Sequence, residues 1–441
     1  MKKTLHSLQA KLLLVFGLCF IVTTFSGAQP AAPKSQNYQL INGQWFDGKS
    51  FRKQEFYAVA GKFTKKKPAK IDEVLDLKNG FVIPPFADAH THKLNSTPEL
   101  AKDEASYLAE GTMYVMTLTN GANNSARNRL VLNKPDRIDV LYANGGITCT
   151  GQHPAFSFER DASGIAEWWL PENTKIIQAN HKEENNSYWF FDTIEDVDKK
   201  WNDYMSSHPD IVKIYLMDVK NKSKSKESLS EEVAKYVIQK AHATGLRVAA
   251  HIETFDDLKL GVKIGVDVFA HMPHYNYFYN RTELAQPIFS AEELKIIRQR
   301  KIVLIPTLSL TEDYAIVRDA SNNYQGKFDP VGFNEVLSFQ KKTLTTLSQA
   351  GFTFAIGSDR DSVGVEMNYW VKNKVFDAAF TLRTATVTTP QIMYPRRKIG
   401  ALQEGYETSF LVLSGNPLES FENTKTIKLR IKQGVLLNRS N

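Results

Sequence analysis

From residue 81 onward, short apolar stretches alternate with longer amphipathic ones, and this rhythm limits the available folds more than any other feature of the chain. The candidate strands are Phe81-Val-Ile83 running on toward His90, Thr112–Met116, Asp139–Tyr142, Ile211–Leu216, Arg247–Ala250, Val266–Ala270, Ile302–Ile305 and Thr353–Ile356. The intervals between them are long enough for helices. In one interval, Ser228-Leu-Ser-Glu231 reads as a capping box, opening a helix whose apolar face would carry Val233, Tyr236, Val237 and Ala241. Eight strand-then-helix units predict a (β/α)8 barrel of the TIM type, whose usual size is ~250 residues plus insertions. The alternative, an open doubly wound sheet, loses its main support because the first unit has no Gly-x-Gly-x-x-Gly.

Both flanks read as β-structure. Tyr38-Gln-Leu-Ile41 leads into Asn42-Gly43, a hairpin turn signal, and Phe56–Ala60 leads to Gly61-Lys62-Phe63. Beyond residue 400, Ser409–Leu413 and Thr426–Arg430 are again strand-like. The expected organisation is α/β: a (β/α)8 barrel at 85–388, with a small β-sandwich domain built from the N-terminal segment 29–84 and the C-terminal segment 389–441. Residues 155–191 form an insertion carrying Phe156, Phe158, Trp168, Trp169, Tyr188, Trp189, Phe190 and Phe191. It would either hang over the barrel's C-terminal mouth or pack against the barrel top.

The first 28 residues read as an export signal. Lys2, Lys3 and Lys11 precede the apolar run Leu12–Thr23, and Ser26-Gly27-Ala28 places small residues where a signal peptidase reads them. An apolar run of that length falls short of the roughly 20 residues needed to span a bilayer. Cleavage after Ala28 and a periplasmic or extracellular location are therefore expected, with no stable membrane span afterwards. The chain's net charge of +7 owes three units to that segment. With no basic stripe in the remainder, and Lys65-Lys66-Lys67 read as a solvated turn, nucleic acid is not an expected partner. Two cysteines, Cys19 and Cys149, support neither a disulfide framework nor a cysteine-based zinc site. A hydrophobic fraction of 42% with 23% charged residues suits a chain with a sizeable core.

The chemistry is carried by residues at strand ends. Asp88-Ala-His-Thr-His92 closes the first unit, and positions i and i+2 on a strand face the same way, so His90 and His92 can converge. His251 ends the fifth strand, His271 the sixth, and Asp359 follows the eighth through Gly357-Ser358. In a barrel all of these lie at the C-terminal face, where active sites form. Unpaired histidines in an apolar mouth are costly, whereas imidazole and carboxylate together suit a transition metal. Lys213 sits inside an otherwise apolar strand; on residue pattern alone it reads as reaching solvent at a strand edge, and if buried it must be paired, neutral or modified.

These motifs, in this order, resemble the metal-dependent amidohydrolase superfamily over residues 38–437, and within it the group of imidazolonepropionase-like enzymes and Xaa-Pro dipeptidases. Phe81–His92 looks like its first-strand signature, Asp210–Leu216 like its lysine strand, and Val248–His251, Gly265–His271 and Ala355–Asp359 like its further ligand strands. Ile399–Gly405 and Leu411–Leu418 resemble its return into the small β-domain. The resemblance implies two divalent metal ions of the Zn2+ type: one held by His90, His92 and Asp359, the second by His251 and His271, with carboxylated Lys213 bridging. It further implies a metal-bridging hydroxide as nucleophile and Asp359 as the catalytic proton acceptor and donor. Gly146–His153 is similar to a third-strand segment whose histidine reaches substrate in the peptidase branch. Here Gln152 and Pro154 flank His153, which is read equally as a substrate contact or not. Tyr215, Arg360 and His274 fall near the expected mouth and read as packing or surface residues.

The expected function is an exported binuclear hydrolase that cleaves a C–N bond in an amide, lactam or dipeptide-like substrate. A one-metal deaminase or lactonase on the same fold, and a catalytically silent binding protein, are the alternatives. A homo-oligomer is left open.

Overall fold

The computed structural model describes residues 35–217, 219, 228–277, 284, 286–318 and 324–439, all within one compact unit, Pro33–Asn441. The expected export signal lies outside the described residues. Among those described, no helix is long and apolar enough to cross a membrane.

Five strands come first: β1 (Tyr38–Phe46), β2 (Phe51–Val59), β3 (Lys62–Thr64), β4 (Glu73–Asp76) and β5 (Phe81–Ile83). Nine follow, mostly separated by helices: β6 (Phe86–Thr91), β7 (Thr112–Thr117), β8 (Asp139–Tyr142), β9 (Gly146–Thr148), β10 (Tyr188–Phe190), β11 (Val212–Tyr215), β12 (Val248–His251), β13 (Val268–Ala270) and β14 (Val303–Ile305). The chain then forms the antiparallel pair β15 (Ile316–Arg318) and β16 (Tyr324–Phe328), followed by β17 (Thr353–Phe354). It ends with β18 (Phe410–Leu413), β19 (Ile427–Lys432) and β20 (Val435–Arg439).

Strands β6-β7-β8 form one parallel sheet, and β10-β9-β11-β12-β13-β14-β17 form a seven-stranded one. Every residue of β6, β7, β11 and β12 is buried, as parallel strands covered on both faces require. Backbone bonds carry the pairing past the end of β17: Ala89 N–H donates to Ile356 O at 2.9 Å, and Asp359 N–H to His90 O at 2.7 Å. The helices Ile194–Ser206, Phe255–Ile264 and Ala291–Arg300 open on Thr193, Thr254 and Ser290. Each of these N-caps exchanges bonds with an acid three residues on, so orphan N–H groups are satisfied where the chain turns from strand to helix.

The two chain ends meet in an eight-stranded sheet of order β20-β19-β18-β5-β1-β2-β3, with β4 against β1. The antiparallel match of β5 with β18 sets Ile83 opposite Leu411 and Phe81 opposite Leu413. Trp45 anchors its core, with ring centroids 4.8 Å from Phe56 and 5.7 Å from Phe410.

Three local expectations are corrected. Phe81–Ile83 does not run on into the first ligand-bearing strand. It is β5, in the eight-stranded sheet, and β6 starts at Phe86 because Pro84 and Pro85 offer no N–H to a continuing ladder. Asn42-Gly43 is no hairpin turn: β1 passes through it, with a register slip against β2 between Leu40 and Gly43 and with Asn42 at φ +57°. That is a β-bulge, and glycine is needed there, since a Cβ on Gly43 would stand 2.6 Å from Trp45 Nε1. Ser228 does not cap the helix Glu231–Ala243; Ser230 does, accepting from Val233 N–H, while Ser228 Oγ accepts from Met217 N–H. The helix buries Val233, Val237 and Ala241 as expected.

One buried charge cluster ties β8 to the C-terminal segment. Asp139 meets Lys432 Nζ at 2.8 Å and Arg397 at 2.7 Å, and Arg397 also grips Glu407 with two bonds of 2.9 and 2.7 Å. The Lys432 side chain is fully buried, so Asp139→Ala strands a buried ammonium. The expected loss is about 3–5 kcal/mol of unfolding free energy, read by urea denaturation. Asp139→Leu combined with Lys432→Met should recover most of it; a double variant no better than Asp139→Ala would contradict this account.

Candidate metal centre

The ends of β6, β12 and β13, with the turn after β17, bring five of the expected ligands together. His90 Nε2 lies 3.3 Å and His92 Nε2 3.1 Å from Asp359 Oδ1. The imidazole of His90 is 4.7 Å from that of His271, which is 4.7 Å from that of His251. His90, His271 and Asp359 each offer an atom within 4.8 Å of the other two. This tightest group crosses the expected division of ligands, taking His271 from one set and the pair His90–Asp359 from the other. His92 lies one residue past β6 with its side chain 45% exposed, on the solvent side of the cluster.

The close approach of 355–359 to β6 is built in. A Cβ on Gly357 would stand 2.8 Å from both His90 N and His90 Cβ, so only glycine fits. Asp88 then clamps the two segments. It accepts from His90 N–H (3.1 Å), Ser358 N–H (3.0 Å) and Ser358 Oγ–H (2.6 Å). Burial pushes the Asp88 carboxyl up to about 6 against those bonds. Asp359 and His271 both occupy the left-handed region, at φ +58° and +74°. Such strain persists where the surroundings fix it, and it is typical of functional sites.

Lys213 does not reach solvent. It is 1% exposed, in the middle of β11, which is hydrogen-bonded to β9 and β12 on either side. Its Nζ has no hydrogen-bond partner, and burial lowers the ammonium to about 7. His90 Nδ1 and His251 Nε2 are likewise buried without a hydrogen bond, and His90 Nε2 faces Asp359 Oδ1 at 3.3 Å without hydrogen-bonding geometry. Burial holds His90 and His251 well below the ordinary histidine range and takes His271 to about 3, so all three are neutral near pH 7. For Asp359 burial acts to raise the carboxyl, but the His92 bond and the surrounding imidazoles outweigh it and hold it well below its usual range. Neutral imidazoles and an ionised carboxylate are the protonation states that metal ligation demands, and burial brings the Lys213 amine toward its neutral form.

These groups line a cavity of about 420 Å³. His153 lies in its wall, 5.1 Å from Tyr215 and 5.4 Å from His251 between ring centroids. Tyr215 and Arg360, read from sequence as packing or surface residues, also line it. Tyr215 OH bonds Thr119 Oγ1 at 2.6 Å. His274 does not line it; its ring packs on Phe255 and Phe339. Sequence reasoning missed Arg160, Tyr275 and Tyr314, which complete the wall. Tyr275 stacks on His271 at 4.3 Å, and the only hint was its place in the turn after β13.

The 155–191 insertion divides between its two readings. Its helix Ala155–Ser163 lines the mouth through Phe158 and Arg160, whereas Tyr188–Phe191 is buried and pairs with β9. A larger groove of about 1220 Å³, with Asp192, Glu231, Lys259 and Glu293 in its wall, gathers no metal-ligand set among the described residues.

No family model matches the chain. Among curated proteins, ochratoxinase of Aspergillus niger is 22% identical over 216 residues, 47% of this chain and 41% of that protein, so the likeness spans less than half of either. Among solved structures, A. niger ochratoxinase has a TM-score of 0.68 at 16% identity, covering 92% of this chain and 96% of that one. A Xaa-Pro dipeptidase with bound methionine in the active site has a TM-score of 0.66 at 17% identity, covering 91% and 99%. Molinate hydrolase has 0.63 at 14% identity, covering 92% and 95%. The resemblance read from the motifs thus holds at the level of the fold: the chain folds like amidohydrolases, Xaa-Pro dipeptidases among them.

The buried imidazoles fix the pH response of the metal-free protein. Their folded pKa values lie below the ordinary 6.5, so they contribute stability that is complete above about 6.5 and lost as pH falls toward the folded values. Asp88, raised to about 6, opposes them: its contribution is complete below about 4 and lost as pH rises through 6. His153, lowered by burial to about 4, acts with the three ligand imidazoles, and these four groups outweigh the raised carboxyls of Asp88 and Glu366. Thermal melts in chelator should show Tm falling between pH 7.5 and 5; a flat or rising Tm would contradict the neutral, buried histidines.

Proposed function

We propose that this chain is an exported, metal-dependent hydrolase that cleaves a C–N bond in a small amide, lactam or dipeptide-like substrate. The observation that carries the reading is the convergence of His90, His251, His271 and Asp359 at parallel strand ends with Lys213 from within β11, several of their buried nitrogens lacking a hydrogen-bond partner. Orphaned buried nitrogens are expensive, and cations would satisfy them together. The fold shared with ochratoxinase and the Xaa-Pro dipeptidase supports the reading. Export rests on the signal-like first 28 residues. In this reading β6 to β17 form a (β/α)8 barrel closed by the 355–359 segment against β6, spanning about 85–388, with 29–84 and 389–441 as the small β-domain.

His90, His92 and Asp359 would hold one divalent ion of the Zn2+ type, and His251 and His271 a second. Lys213 would serve both as a carbamate. Burial lowers its ammonium to about 7, so a substantial share of the amine is in the neutral form that adds to CO2, and the added carboxylate would give two oxygen donors. When bound, the cations acidify a water and polarise the scissile carbonyl. The residues do the rest. Asp359, ionised and 5% exposed, accepts the proton of the attacking water and returns it to the leaving nitrogen. His153, Tyr215 and Tyr275 bound the space in which the substrate would be oriented.

Mature protein purified without chelator and with bicarbonate should contain about two equivalents of metal per chain by elemental mass spectrometry. Lys213→Ala should lose at least one. Asp359→Asn should lower kcat on an N-acyl amino acid or dipeptide panel by about 10²–10⁴-fold. Protein that takes up no metal after reconstitution would sink the proposal, and one equivalent unaffected by Lys213→Ala would point to a one-metal deaminase.

A further inference from the structure

His271 has a second contact that sets it apart. Its Nδ1 lies 2.8 Å from Thr307 Oγ1, and both residues are buried. Thr307 follows β14 by two residues and has φ +48°. A β-branched residue in the left-handed region is a genuine outlier, held only where neighbouring contacts over-determine it.

Those contacts come from Glu366. The next two backbone N–H groups, of Leu308 and Ser309, donate to Glu366 Oε1 and Oε2, each at 2.7 Å. Glu366 is fully buried on the helix Val363–Lys372, and Trp370 Nε1 supplies a third bond at 2.7 Å. The carboxylate neither lines the site cavity nor forms an ion pair among the described residues. Two of its three bonds are spent on the turn that begins at Thr307.

We propose that Glu366 and Thr307 are positioning residues for His271: Glu366 locks the left-handed turn, and Thr307 Oγ1 accepts the Nδ1–H, leaving Nε2 as the donor atom for a metal ion. The inference rests on the metal-centre reading. The direction of the bond decides the chemistry. If the hydroxyl donated to Nδ1 instead, the ring proton would sit on Nε2 and the ligand would be lost. Tyr275, stacked on the same imidazole, fixes the ring plane from one side, and the Thr307 bond fixes its rotation within that plane.

The test is titration of the metal-free protein with Zn2+ against a chromophoric chelator, beside the visible spectrum of Co2+-loaded protein. Wild type, Thr307→Val, Thr307→Ser, Glu366→Gln and the double variant Thr307→Val/Glu366→Gln are compared. Thr307→Val should weaken binding of one equivalent by about 10–100-fold and alter the Co2+ spectrum, while Thr307→Ser keeps wild-type affinity. Unchanged affinity in Thr307→Val, or equal loss in the valine and serine variants, overturns the role of Thr307. Glu366→Gln should weaken the same equivalent, with the double variant no weaker than Thr307→Val alone, because one residue acts through the other. Additive losses, or a lowered Tm at unchanged affinity, overturn the role of Glu366. Wild type that binds no Zn2+ ends the metal reading itself, and this inference with it.

Discussion

The junction between β6 and the segment after β17 is the contact on which the site depends. Asp88 and Ser358 are 270 residues apart in sequence, yet the Asp88 carboxylate binds Ser358 through both N–H and hydroxyl while also receiving His90 N–H. One side chain therefore fixes the spacing between His90 and Asp359. Gly357 makes that spacing small enough by removing the Cβ that would strike His90. Burying a carboxylate is costly, and Asp88 is held above the usual range by that burial. The cost is offset by three hydrogen bonds whose geometry brings two ligand strands into register.

Strain and burial both gather at the same end of the strands. His271, Thr307 and Asp359 all adopt positive φ without being glycine. A relaxed backbone at these positions would let the strand ends continue straight, and their side chains would no longer turn toward a common point. The strain is sustained by local clamps. Asp88 holds Ser358 beside Asp359, and Glu366 holds the two residues after Thr307. Folding itself thus fixes the relative positions of His271, Thr307 and Asp359.

Much of this was legible in the sequence because it depends on local period and strand position. The His90–His92 spacing implied one face, and both imidazoles do approach Asp359 Oδ1. His251 and His271 were placed at strand ends by the apolar runs before them, and they close β12 and follow β13. The failures have equally specific causes. Asn42-Gly43 makes a turn or a bulge depending on what pairs alongside, and β4 and β5, both pairing with β1, keep the strand going. Thr307 and Glu366 carry no signal of their own: a threonine after a strand and a glutamate on a helix are ordinary until the fold bonds them across 36 and 58 residues to their partners.

Lys213 is the sharpest case of a residue whose meaning only burial reveals. A lone lysine in an apolar strand usually lies at an edge, where its stem packs and its ammonium reaches water. That escape is closed here, because β11 has a partner on each side and the lysine lines the cavity together with five imidazoles and Asp359. A cation there would be repelled by any bound metal and has no hydrogen-bond acceptor of its own. A neutral amine fares better but still leaves its N–H groups unsatisfied. In the proposed two-metal reading, conversion to a carbamate would invert the charge of this group and supply oxygen donors beside the imidazoles that lack hydrogen bonds.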